Sequence, residues 1–173
     1  DIPQIEFIAG DAQADFDGVA LVFRHLQPLS ENDRAKLETF AREHRFAIFL
    51  QPGGIDSVHP LWPADPQLAF RIPRWDIDFA FRPLDFIQVN AGLNEKMIAL
   101  ALELLDAQPG ERVLDLFCGL GNFTLPLARG AGHVVGVEGD AGLIRRAREN
   151  AQRNALSNVE FHAADLATDL SSQ

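Results

Sequence analysis

The chain has 173 residues, with 15 Lys and Arg against 25 Asp and Glu and a formal net charge of −10. At 47% hydrophobic and 23% charged residues it has the make-up of a folding globular chain, which excludes a disordered tail, a collagen-like repeat and a low-complexity polymer. The single cysteine, Cys118, excludes an internal disulfide framework and any multi-cysteine zinc or iron–sulfur site, and the acidic balance counts against non-specific nucleic-acid binding by this stretch.

A lone cysteine fits a reducing compartment, the cytoplasm. No run reaches the ~18 apolar residues that span a bilayer, and Asp1-Ile2-Pro3-Gln4 lacks the layout of a signal peptide, so a soluble protein is expected. The chain opens without methionine inside a strand-like run, which suggests a piece of a longer protein.

In chain order, Ile2 to Ile8 and Gly18 to Arg24 are β-rich runs around turn material at Gly10 to Asp17, a plausible hairpin. Ser30 then precedes Glu31, Asn32 and Asp33 as a variant capping box, with Leu37, Phe40 and Ala41 on one helical face. A third strand follows at Phe46 to Leu50. From Gln51 to Pro83 six prolines (Pro52, Pro60, Pro63, Pro66, Pro73 and Pro83) permit short edge strands and loops but no long helix. Residues 1–84 thus read as a small α+β domain with a proline-rich connector.

From Asp85 the pattern changes to alternating strands and helices. Ala91 to Ala107 reads as an amphipathic helix with Met97, Leu100, Ala101, Leu104 and Leu105 as its apolar stripe. Arg112 to Phe117 is a strand, Asn122 to Arg129 a helix, and His133 to Glu138 a second strand. A helix with Leu143, Ile144, Ala147 and Ala151 on one face and a third strand at Val159 to His162 complete the series. This order implies a parallel βαβ sheet over residues 85–173. About three units are fewer than open doubly wound sheets carry, so the sheet is expected to be cut off at Gln173.

The most informative run is Val113-Leu114-Asp115-Leu116-Phe117-Cys118-Gly119-Leu120-Gly121-Asn122-Phe123-Thr124. A strand delivers Asp115, then Gly119 and Gly121 let the backbone approach a ligand at the carboxyl end of the sheet. A dinucleotide fingerprint needs a third glycine where Thr124 stands, so the loop suits a cofactor with a cationic centre and no phosphate, S-adenosylmethionine. Glu138, at the tip of the second strand, can accept hydrogen bonds from ribose hydroxyls, and Asp165, after the third, can take an adenine amino group. Either carboxylate could instead be a solvated strand end.

Asp85-Phe86-Ile87-Gln88-Val89-Asn90, followed by Val113 to Ala128 and Val134 to Gly139, resembles the RNA uracil-5 methyltransferases, most closely those acting on 23S ribosomal RNA. The resemblance is specific over residues 85–173 and looser over 1–84. It implies a truncated Rossmann-like S-adenosylmethionine-dependent methyltransferase fold preceded by part of a central domain. It also implies cofactor contacts at Gln88, Phe117, Asn122, Glu138 and Asp165. Phe86 would lie beside the target base, or could simply be core.

Carbon 5 of uracil is a poor nucleophile. Its methylation therefore needs a thiolate added at carbon 6, attack of the resulting enolate on the sulfonium methyl, and a base to remove the carbon-5 proton. Cys118, inside the glycine loop, reads as a small packed residue rather than that nucleophile. By the resemblance, the nucleophilic cysteine and catalytic carboxylate lie beyond this stretch, and a 4Fe-4S cluster with an RNA-binding barrel lies before it. No catalytic residue and no metal ligand is assigned here. The resemblance places the basic RNA-gripping module elsewhere, which removes the charge objection.

His25, His44, His59, His133 and His162 match no metal spacing. Trp62 and Trp75 anchor the connector or stack on RNA bases. No membrane contact and no obligate protein partner is evident. A cofactor-binding module without catalytic duty and a nicotinamide-dependent oxidoreductase are the alternatives in other classes.

Overall fold

The computed structural model describes residues 1–167. They form two compact units: Asp1–Phe70 with Phe81–Asp85, and Arg71–Ala80 with the chain from Phe86 onward. The segment 71–80, in the connector by sequence, packs with the second unit.

The first unit holds a four-stranded sheet ordered β1-β2-β3-β4, from β1 (Gln4–Ala9), β2 (Val19–Arg24), β3 (Ala47–Gln51) and β4 (His59–Trp62). β1 and β2 form the expected antiparallel hairpin, Gln4 opposite Arg24 and Ala9 opposite Val19. β2 and β3 are parallel because helix α1 (Glu31–His44) runs between them as the crossover. Ser30 caps α1, its Oγ accepting from the Asp33 N–H at 3.1 Å while its hydroxyl donates to the Asp33 carboxylate at 2.7 Å. That hydroxyl holds Asp33 below the usual carboxylate range. Leu21, Phe23, Ala41, Ile48 and Leu50 form the core, with Leu37, Phe46 and Trp62 packed at its edge.

The second unit is built on a parallel sheet ordered β7-β8-β9, from β7 (Arg112–Leu116), β8 (His133–Glu138) and β9 (Val159–Ala163). Strands β5 (Ala69–Ile72) and β6 (Ile77–Ala80) pair as a separate ribbon. Helices α2 (Ala91–Leu105), α3 (Thr124–Ala128) and α4 (Ala141–Arg153) intervene in chain order. Leu127, Ala128, Ala131 and Val134 make a core cluster against which Leu102, Val113, Phe123, Leu156 and Val159 pack. The arrangement is a parallel, Rossmann-like α/β sheet, as the strand–helix alternation implies.

β6 has an unusual edge partner. The Asn154 side chain accepts from the Asp78 N–H and donates to the Asp78 carbonyl, both at 2.8 Å. Asn150, one helical turn earlier, does the same to Ala80 at 2.8 and 3.1 Å. Two carboxamides spaced i, i+4 on α4 thus satisfy backbone groups that a neighbouring strand would otherwise pair.

Two expectations need correction. On α2 the expected apolar stripe is mostly outside: Met97, Leu100, Leu104 and Leu105 are exposed, whereas Asn94 and Ile98 are buried. The helix is apolar on more than one face, and Leu102 and the buried amide of Asn94 mark the face that packs within this chain. The expected helix Asn122 to Arg129 contracts to Thr124–Ala128 because turn structure persists through Phe123, and Pro126 is tolerated in the first helical turn.

Candidate functional site

β7 ends at Leu116, and the next residues follow an alternating path. Phe117, Gly119 and Gly121 all have left-handed backbone, with φ of 59°, 55° and 92°. For two glycines this costs nothing; for Phe117 it costs roughly 1–2 kcal/mol, and its ring is 72% exposed. Strained residues of this kind concentrate at ligand clamps. A Cβ placed on Gly119 would meet nothing within 4 Å, so the crest of the loop faces open space. On its other side the loop is bound down: Cys118 N–H donates to Val137 carbonyl at 3.0 Å, and Gly121 N–H to Cys118 carbonyl at 2.8 Å.

The strand tips share one end of the sheet. Leu116 stands opposite Val137, and Glu138 opposite Ala163, two residues before Asp165. Glu138 is half-buried. Its Oε1 accepts from Gly139 N–H at 2.7 Å and Asp140 N–H at 3.2 Å, and its Oε2 accepts from Gly119 N–H at 3.2 Å. Of about four lone-pair sites on a carboxylate, three are engaged, two of them by long bonds that a ligand can displace. Asp165 is exposed, and one of its oxygens accepts from Ala167 N–H at 2.9 Å, closing the turn after β9.

Asp115 is half-buried on β7. Its carboxylate receives the Thr124 hydroxyl at 2.5 Å, a contact that ties the strand to the start of α3. Burial pushes the Asp115 carboxyl above its ordinary range, partly offset by that bond. Cys118 is buried, and its thiol is pushed up to about 12, first by burial and then by the charges of Asp115 and Glu138. It is a packed residue and not a poised thiolate.

The structure brings Phe117, Gly119, Gly121, Asn122 and Glu138 together around one loop, with Asp165 one strand further along the same edge. Phe86 and Gln88 are exposed, Phe86 at 80%, so Phe86 is not core. They lie in the segment that ends at Asn90, the residue that caps α2 by accepting from Leu93 N–H at 2.9 Å. Sequence reading missed Asn94 and Thr124, which bond to Asn122 and Asp115. By sequence Thr124 reads only as the position where a dinucleotide fingerprint has glycine, and Asn94, beside Glu95 and Lys96, carries no signal that sets it apart. Among the described residues there is no group of three His, Cys, Asp or Glu that could hold a metal, and no helix long and apolar enough to cross a membrane.

Comparison with known proteins adds to this geometry. Residues 107–173 match a methyltransferase domain family. The chain is 70% identical over 169 residues to the 23S rRNA (uracil(1939)-C(5))-methyltransferase RlmD of Xanthomonas euvesicatoria, which covers 98% of this chain and 37% of that protein. It is 68% identical, with the same coverage, to RlmD of Xylella fastidiosa. The chain therefore spans about 37% of the length of the curated relatives it matches. Among solved structures, a Pyrococcus abyssi tRNA (uracil-54, C5)-methyltransferase in complex with S-adenosyl-L-homocysteine superposes over 93% of this chain and 38% of its own. Its TM-score is 0.67 at 22% identity. The P. horikoshii TYW2 structure gives 0.56 at 19% identity, over 95% of this chain and 56% of its own. At these identities the two structures speak for the fold.

Proposed function

We propose, from the premise that the chain belongs to the 23S rRNA (uracil-C5)-methyltransferase family, that it carries the cofactor-binding part of an enzyme that forms 5-methyluridine in 23S ribosomal RNA. Residues 86–90 and the loops after β7, β8 and β9 would hold S-adenosylmethionine, and residues 1–84 would be part of a central domain. The observation that carries this is the loop Phe117–Asn122, with an exposed aromatic ring in strained left-handed backbone beside an open glycine and a strand-tip carboxylate.

The residues present fit that cofactor. An exposed Phe117 ring offers a face for stacking an adenine, Glu138 retains acceptor capacity for a ribose hydroxyl, and Asp165 offers a carboxylate one strand along. The group supplies an electrophilic sulfonium methyl when bound. What this chain contributes is orientation: the Glu138–Gly119 bond fixes the loop height, and Gln88 and Phe86 lie on the exposed approach to α2. The Cys118 thiol keeps its proton at neutral pH and takes no part in addition to the base. With one cysteine this chain cannot by itself assemble a 4Fe-4S cluster.

The test is transfer of labelled methyl from S-adenosylmethionine to a 23S rRNA transcript by the full-length protein that contains this segment. Label in 5-methyluridine, lost on Glu138→Ala with the fold intact, is the expected result. Label absent from uridine carbon 5 in the unaltered protein contradicts the reading.

A further inference from the structure

Asn94 is a polar residue in the first turns of α2, and unlike its polar neighbours Glu95 and Lys96 it is buried, only 4% exposed. A buried carboxamide is costly unless its oxygen and its N–H are both bonded. Here both are bonded to one residue. Asn94 Nδ2 donates to Asn122 Oδ1 at 2.8 Å, and Asn122 Nδ2 donates to Asn94 Oδ1 at 2.9 Å. The ring of two bonds closes only when the amides lie face to face with opposed ends, so it fixes the plane of Asn122 and ties the direction of its amide to that of Asn94. An unpaired amide has no such constraint, because its terminal torsion is broad and nearly two-fold.

The two ends of this pair belong to different parts of the candidate site. Asn122 sits in the loop after β7, one residue past left-handed Gly121. Asn94 rides on α2, whose N-terminus is held by Asn90, with the Asn94 N–H donating to the Asn90 carbonyl at 2.9 Å. Asn90 closes the segment that carries Phe86 and Gln88. A rigid helical turn and one amide pair therefore connect the 86–90 segment to the glycine loop. The pairing leaves Asn122 one N–H and one lone pair for a ligand, in a fixed direction.

We propose that Asn94 is a positioning residue of the cofactor site: through Asn122 it sets the orientation of the loop amide and holds the 86–90 segment in register with the loop. This rests on the cofactor reading above and adds to it a residue that touches no ligand.

The test uses the full-length protein that contains this segment, with S-adenosylhomocysteine as the probe and dissociation constants from calorimetry measured well below the melting temperature of each variant. Asn94→Ala removes the pair, and Asn94→Leu removes it while refilling the volume and favouring the helix, which guards against loss of fold. Both are expected to weaken binding about tenfold in the wild-type background and to have no further effect on Asn122→Ala, because coupled residues are non-additive. A merely structural role would lower the melting temperature while leaving the dissociation constant unchanged, or would act equally in both backgrounds; either result with a binding wild type overturns the positioning role alone. A wild-type protein that gives no binding overturns the cofactor reading, and the positioning role with it.

Discussion

The Glu138 carboxylate, at the end of β8, accepts a hydrogen bond from the backbone N–H of Gly119, the left-handed residue at the open crest of the preceding loop. One side chain thus joins two strand tips and retains a site for a ligand hydroxyl. Glu138→Gln keeps the length and one acceptor but loses the charge. It is expected to weaken S-adenosylhomocysteine binding by ~1–3 kcal/mol, measured by calorimetry. An unchanged dissociation constant makes Glu138 a solvated strand end that serves only the loop.

Gly136 is where β8 has no room for a side chain. A Cβ there would lie 2.7 Å from the Phe161 ring and 3.0 Å from Cys118 Sγ, and both partners are buried. Gly136→Ala is expected to destabilise the chain by ~1–3 kcal/mol in urea unfolding, with a larger loss for Gly136→Val. A neutral Gly136→Ala means that Phe161 can withdraw.

The carboxamide clamp on β6 gives a second stability prediction. Removing either Asn150 or Asn154 leaves a backbone N–H and a carbonyl of β6 without their side-chain partners. Each alanine variant is expected to cost ~1–2 kcal/mol in denaturant unfolding, and the Asn150→Ala variant should raise amide exchange at Ala80 selectively. Unaltered exchange at Ala80 contradicts the clamp.

Cys118 sets a pH prediction. Its thiol keeps its proton in the folded chain up to about 12 but ionises near its ordinary 9.0 once unfolded. A raised folded value means that this contribution to stability is complete below about pH 9 and falls as pH climbs from 9 toward 12. Urea midpoints for wild type and Cys118→Ala should therefore converge over that window. A thiol-specific reagent at pH 8 should react at the rate of unfolding, and fast labelling of the native chain contradicts the packed assignment.

Much of this was legible before any coordinates, because the signals were local. Ser30 and the Gly119–Gly121 pair each act within a few residues, so cap and loop could be placed from spacing. The parallel sheet was legible because strands and helices alternate. What escaped depends on partners far along the chain. Asn94 meets Asn122 across 28 residues, and Asn154 meets Asp78 across 76, and nothing in the local pattern announces either. The packed face of α2 escapes for the same reason: Met97, Leu100, Ala101, Leu104 and Leu105 form the apolar stripe, whereas Asn94 and Ile98 are the residues buried. The motif marks Asp115 but not its partner, since the Thr124 hydroxyl that bonds its carboxylate comes from nine residues on.

The most direct test of the central claim is a pair of calorimetric titrations of this chain, one with S-adenosylhomocysteine and one with NAD. The loop Phe117–Asn122 with Glu138 beside it predicts saturable heat with S-adenosylhomocysteine and none with NAD. Saturable heat with NAD and none with S-adenosylhomocysteine contradicts the account.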